Sequence, residues 1–186
     1  MNNDDYIRAA TLLNCEPAAI KAVVAVESAG GGYNADGSIK ILFEGHWFHR
    51  YTKGKFAQSD PDLCYPKWTT KFYGKNYVEE NARLARAEKL DQHAAWLSSS
   101  WGLFQIMGFN HTLVGFKTVE EYVTAVKSSE TAQLEAFCRY VQHSGLADEL
   151  RDRRWADFAR LYNGPEYKKN RYDEKLATAY ARFAKE

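Results

Sequence analysis

Apolar side chains recur along this chain mainly at three- and four-residue intervals, the period of helices with one buried face. Ile20, Val23 and Val24 set such a stripe in a helix that Pro17 can open, because proline's missing N–H would be unpaired in a first turn anyway. Gly30, Gly31 and Gly32 are expected to stop it. Ahead of it, Ile7, Ala10 and Leu13 or Leu12 predict a helix over 5–14 capped by Asp4 or Asn3. Residues 78–97 are dominated by Ala, Leu, Glu, Arg and Lys and predict a long helix. Ser98, Ser99 and Ser100 offer caps for a short helix over 101–107 that Gly108 ends. Thr118 and Glu121 fit a capping box that opens a helix to about Lys127. Leu134, Phe137, Cys138 and Val141 are the stripe of another over 130–144. Further helices are expected over 146–150, 155–162 and 171–184, the last with Tyr172, Leu176, Ala179, Tyr180 and Phe183 inward.

The pattern changes between residues 33 and 77. Asp36-Gly37 is a turn signal, and Ile39 to Phe43 is short, β-branched and apolar, so a small hairpin or irregular β element is expected, closed by Glu44. Residues 46–51 suit a short helix. Residues 52–77, rich in lysine, glycine, proline and aromatics, predict a long loop of the kind that walls a binding site. The expected fold is mainly α (α+β), a helical domain with a small β-hairpin insertion. At 186 residues it suits one sizeable core, a single domain over 1–186.

Composition narrows the class. A hydrophobic share of 45% describes a globular chain, and 25 Lys plus Arg against 24 Asp plus Glu give no electrostatic reason to expect nucleic acid or an anionic membrane as partner. Cys15, Cys64 and Cys138 are odd in number and far apart, which predicts free thiols kept reduced in a cytoplasm. The N-terminus, Met1-Asn2-Asn3-Asp4-Asp5, is acidic where a signal peptide is basic, and no stretch reaches the roughly 18 to 20 apolar residues of a membrane span. The expectation is a protein made in a cytoplasm and not exported by the general route, with no stable membrane association, so that something else must carry it to any target outside the membrane.

One position stands out chemically. Glu27 continues the Ile20, Val23, Val24 stripe at i+7, so burial and the negative end of the helix dipole both oppose its ionisation. A carboxyl group that keeps its proton near neutral pH is fitted to be a general acid, and cleavage of a glycosidic bond needs one. At a frayed helix end the same residue would be an ordinary surface carboxylate. Other chemistries find less support. His46 and His49 lack a third ligand for zinc, so no metal and no cofactor are expected. Ser98 to Ser100 stand without a nucleophile elbow, and the glycine run follows a helix instead of opening one, so it is no phosphate loop.

Glu27-Ser28, then Ser100-Trp101-Gly102-Leu103-Phe104-Gln105-Ile106, then Ala159-Arg160-Leu161-Tyr162-Asn163-Gly164 resemble, in that order, three signatures of the lysozyme superfamily that contains goose-type lysozymes and lytic transglycosylases. More closely, Leu42-Phe43-Glu44-Gly45-His46-Trp47-Phe48 and Ser100 through Asn110 resemble the N-acetylmuramidase domain of phage endolysins and related bacterial proteins. The resemblance runs from about Asp5 to Ala184. It implies a lysozyme-like fold and a monomeric, cofactor-independent muramidase that cuts the β-1,4 bond between N-acetylmuramic acid and N-acetylglucosamine in peptidoglycan glycan strands.

By position it implies Glu27 as the general acid, followed by Ser28, with Gln105 supplying an amide from a Gly-Leu-x-Gln-Ile helix and Tyr162 with Asn163 lining the sugar site. A hydrolase of this kind wants a second carboxylate to activate water. Glu44 is the first choice and Asp36, in the preceding turn, the second; a local ion pair of Glu44 with Lys40, His46 or Arg50 is the structural alternative. Carboxyl groups about 6.5 to 9.5 Å apart would give inversion and about 5 to 5.5 Å retention; inversion is expected. Trp47, Trp68, Trp101, Tyr65 and Tyr73 are candidates to stack on sugar rings, with Trp101 and Trp47 first. Two alternatives stay open: a lytic transglycosylase giving 1,6-anhydro products, and a peptidoglycan-binding module without catalysis.

Overall fold

The computed structural model describes residues 1–27 and 31–186, which form two compact units. Ser28, Ala29 and Gly30 lie outside the described residues, so the expectations for Ser28 and for Gly30 fall there too.

The first unit joins 1–31 to 130–186 and is helical. Helix α1 (Asn3–Leu13) starts earlier than the pattern predicts because Asn2, and not Asn3 or Asp4, is its cap. The Asn2 side chain accepts from the Asp5 N–H while the Asp5 carboxylate accepts from the Asn2 N–H, a capping box with Asp in the usual Glu place. Helix α2 (Pro17–Glu27) follows at a bend of 109°, and Pro17 is its first residue as expected. Helices α6 (Glu130–His143), α7 (Ala147–Arg151), α8 (Trp155–Asn163) and α9 (Tyr172–Phe183) complete the unit, with a 3₁₀ segment at Pro165–Asn170. Leu13, Ile20, Val23, Leu134, Phe137, Val141, Leu150, Phe158 and Leu176 form its core, each at most 2% exposed. Helix α9 lies along α2 and against α8, which carries the end of the chain back to the helix that bears Glu27.

The second unit, residues 32–129, holds β1 (Ile41–Phe43), α3 (Gly45–Tyr51), α4 (Tyr77–Leu97), β2 (Ser99–Trp101), β3 (Ile106–Met107) and α5 (Val119–Ser128). Its antiparallel sheet has the order β1-β2-β3, with Ile41 opposite Trp101, Phe43 opposite Ser99, and Trp101 opposite Ile106. The helix expected over 101–107 is therefore not formed. Gly102 at φ +69 and Gln105 at φ +48 are left-handed, which a right-handed helix cannot accommodate, and they turn β2 into β3. The serines are used otherwise: Ser98 ends α4 and the Ser99 hydroxyl donates to the Ala95 carbonyl. Gly108 is needed where it stands, since a Cβ there would lie 2.0 Å from the Trp96 carbonyl oxygen. Helix α4 is also less regular than its composition suggests. Asp91 leaves the helical region at φ −161, ψ 97 and its carboxylate caps the Ala94 N–H.

A buried ion pair joins the parts of this unit. Glu80 and Arg83 are 5% and 7% exposed and 2.7 Å apart. Glu80 also accepts from the backbone N–H groups of Phe43 at 3.0 Å and Gly74 at 2.6 Å, so α4 holds both β1 and the segment 52–76. That segment is a series of turns, as expected, anchored by Leu63, Cys64 and Tyr65 in the core. All three cysteines are free, and burial pushes the Cys15 thiol up to about 11 and that of Cys138 up to about 12, so both stay protonated near neutral pH. No single described helix is long and apolar enough to cross a membrane.

Removing one partner of a buried pair leaves the other charge and its donors unsatisfied. Glu80→Ala is expected to lower unfolding stability by about 3–5 kcal/mol in urea titrations, and Glu80→Gln, which keeps one acceptor oxygen, by less; equal losses would mean that side-chain volume matters there and the hydrogen bonds do not.

Candidate functional site

In the first unit the chemistry gathers at the C-terminal end of α2. Ile20, Val23 and Val24 are buried, which puts the half-buried Glu27 at the end of an apolar face. Burial pushes its carboxyl above the usual carboxylate range, against the opposing pull of a hydrogen bond from Asn163 and of the Lys175 charge. The Asn163 Nδ2 donates to Glu27 Oε1 at 3.1 Å. Asn163 is the last residue of α8, and Gly164 at φ +85 lets the chain leave the helix there. Tyr162 is fixed beside it: its ring stacks on Phe158 at 5.4 Å and meets the edges of Phe137 and Tyr140. Glu27 and the adjacent pair Tyr162 and Asn163, from two distant parts of the sequence, thus belong to one packed unit. Tyr172 is pushed up first by burial and then by the Glu27 charge, which places it near the same carboxyl. Lys175 has no sequence signal pointing to position 27; only the packing of α9 on α2 brings its charge to bear.

In the second unit, Glu44 follows β1 and precedes α3. Its Oε2 accepts from the Tyr73 hydroxyl at 2.7 Å, and His46 Nδ1 stands 3.3 Å away without hydrogen-bond geometry. Of the partners foreseen for Glu44, His46 lies within ion-pair distance, and Tyr73 is a partner that spacing alone does not reveal. Burial, then the Glu44 hydrogen bond and charge, push the Tyr73 hydroxyl far up, so Tyr73 is a donor to Glu44 over the physiological range. Asp36 is exposed and occupied by its own turn. Its carboxylate accepts from the Ser38 hydroxyl and N–H, and these bonds, the hydroxyl's first, hold its pKa below the usual range.

The aromatic candidates separate by exposure. Trp101 is 2% exposed, its indole N–H donating to the Trp96 carbonyl and Lys127 lying 5.1 Å over its ring. Trp47 on α3 is half-buried among Phe109, Tyr51 and Arg50. Trp68, in the turn segment, is 64% exposed. Gln105 sits in the β2–β3 turn and not on a helix; its amide accepts from the Ser100 hydroxyl and donates to the Gly102 carbonyl, each at 2.8 Å. Among the described residues no group of three or more His, Cys, Asp or Glu could hold a metal ion.

Residues 16–184 match the family model of N-acetylmuramidase. An endolysin of Enterobacteria phage PRD1 is 33% identical over 97 residues, a stretch that spans 49% of this chain and 64% of that protein's own length. The crystal structure of a Burkholderia phage AP3 endolysin is similar over 100% of this chain and 72% of that one, with a TM-score of 0.92 and 39% identity.

Glu27 also carries a stability signature. Its folded-state pKa is raised above the unfolded value of about 4.3, so its contribution to stability is full below that value and is lost as pH rises through the folded pKa. Glu27→Gln is therefore expected to melt higher than the wild type at about pH 8 and to lose the advantage near pH 4 in calorimetric scans; an advantage unchanged with pH would mean that ionisation of Glu27 is not its source.

Proposed function

The chain belongs to the N-acetylmuramidase family, and from that premise we propose that it is a peptidoglycan hydrolase cleaving the β-1,4 bond between N-acetylmuramic acid and N-acetylglucosamine, with Glu27 as general acid. The observation that carries this reading is the half-buried Glu27 carboxyl, held above its usual pKa at the end of an apolar helix and met by the Asn163 amide. Protonated Glu27 gives its proton to the glycosidic oxygen as the bond to the sugar breaks, and the ring carbon takes on oxocarbenium character. Asn163 donates to the carboxylate left behind and so stabilises it.

Glu44 is the proposed second carboxylate, activating the water that attacks from the opposite face, with inversion. Its hydrogen bond from Tyr73 fixes its orientation while its other oxygen can accept from water. Asp36 is less suited, being tied to Ser38 and held a weaker base. For the sugars we assign Trp47, Gln105, Tyr162, Asn163 and, from the resemblance, Ser28, and we add Trp68 for its exposed ring. Trp101 supports the turn that carries Gln105 from within the core. The reaction calls on no cofactor and no second copy of the chain, and its setting is the bacterial cell wall. One observation favours a second reading: Glu44 is already engaged by Tyr73 and His46, and if that engagement is structural, the substrate's own hydroxyl attacks as in a lytic transglycosylase.

Mass spectrometry of fragments released from purified peptidoglycan separates the two. Reducing muramic acid ends are expected from the wild type, with release lowered about 10²- to 10⁴-fold in Glu27→Gln and in Glu44→Gln. Anhydro ends together with an active Glu44→Gln variant would support the transglycosylase, and undiminished release by Glu27→Gln would remove Glu27 from the chemistry.

A further inference from the structure

Arg171, Lys175, Thr178 and Arg182 recur at i, i+4, i+7 and i+11 and so share one face of the chain around α9. With Ala25 and Val26 of α2 they line a groove of about 450 Å³ that also includes Glu174 and Ala179. Ala25 and Val26 immediately precede Glu27, and all of these residues belong to the first unit. The groove holds three cationic side chains and one carboxylate. Glu174 is already taken by Arg171, whose Nε donates to it at 2.9 Å. Among the described residues, neither Lys175 nor Arg182 has a carboxylate within ion-pair distance. Each instead lies over an aromatic ring, Lys175 at 5.6 Å from the Tyr172 centroid and Arg182 at 4.3 Å from that of Phe183.

We propose that this groove is a subsite for the carboxylates of the peptide stems that peptidoglycan carries beside its glycan strand, an assignment that rests on the muramidase reading. The lining decides the ligand class. Neutral sugars are held by aromatic faces and by amides or hydroxyls, whereas here the walls are Ala25, Val26 and Ala179 and the polar groups are the Arg171–Glu174 pair, the Thr178 hydroxyl, and Lys175 and Arg182 with no carboxylate within ion-pair distance among the described residues, a net cationic set that selects an anion. Its position gives it a further effect. Lys175 is the charge that draws the Glu27 proton away, so a carboxylate docked on Lys175 counters that pull and leaves Glu27 a better-protonated acid when the stem is in place.

The test compares purified peptidoglycan with the same material after its free carboxyl groups are converted to amides. Sedimentation with the Glu27→Gln protein reads binding without turnover, and fragment release by the active protein reads KM and kcat. Amidation is expected to weaken binding and raise KM about twofold to fivefold for each ion pair removed, in line with partly exposed pairs. Arg182→Gln should show the same loss on native material, no further loss on amidated material, and an unchanged kcat. Binding by the wild-type groove that ignores amidation, or an Arg182→Gln loss of equal size on both materials, would overturn the subsite. Stem-dependent binding without any release of fragments would leave the subsite standing and sink the muramidase reading instead.

Discussion

Desolvation of one carboxyl group is the constraint around which the first unit is arranged. Glu27 ends a helix whose other inward residues include Ile20, Val23 and Val24, so the fold that buries that stripe also draws Glu27 out of water. Left alone, the charge would be expelled or the helix end would fray. Asn163 at the end of α8 and Lys175 on α9 moderate the cost without abolishing it. Both come from the last third of the sequence, so the acid's properties exist only once α8 and α9 have packed on the helix near the chain's start. An amide suits this post in either ionisation state, since it donates to the carboxylate and, turned over, accepts from the acid.

The second unit shows the same side chain used in the opposite way. Glu80 is buried more deeply than Glu27, yet it accepts from Arg83, Phe43 and Gly74 and so is fully engaged as a carboxylate. That engagement makes Glu80 a joint between α4, β1 and the segment 52–76. Glu27 keeps part of its desolvation uncompensated, which is what a proton donor needs. Environment, not residue type, separates the two roles, and Glu44, held by Tyr73 and approached by His46, is an intermediate case.

Much of this was legible in the sequence. The helices at Pro17–Glu27, Glu130–His143 and Tyr172–Phe183 follow from apolar stripes, and the perturbation of Glu27 follows from its place on one of them. The three ordered motifs carried the family. What failed did so for physical reasons. Ser98 to Ser100 can cap a helix, but pairing with β1 and the left-handed backbone of Gly102 and Gln105 overrode that local preference. Trp101 stood beside a motif, yet a strand residue pairing on both sides has its ring in the core, whereas Trp68 in the long turn segment is exposed. The Tyr73 bond to Glu44, the Glu80 joint and the influence of Lys175 on Glu27 are tertiary contacts at separations that no periodicity encodes.

The most direct test of this account is the ionisation of Glu27 itself. Carbon-13 NMR titration of the protein labelled at glutamate side-chain carboxyls, with the Glu27 signal identified by its loss in Glu27→Gln, reads that group alone. A midpoint above that of ordinary glutamates is expected, coincident with the alkaline limb of kcat/KM for peptidoglycan. A Glu27 that titrates at or below the ordinary value, with the alkaline limb set elsewhere, would contradict it.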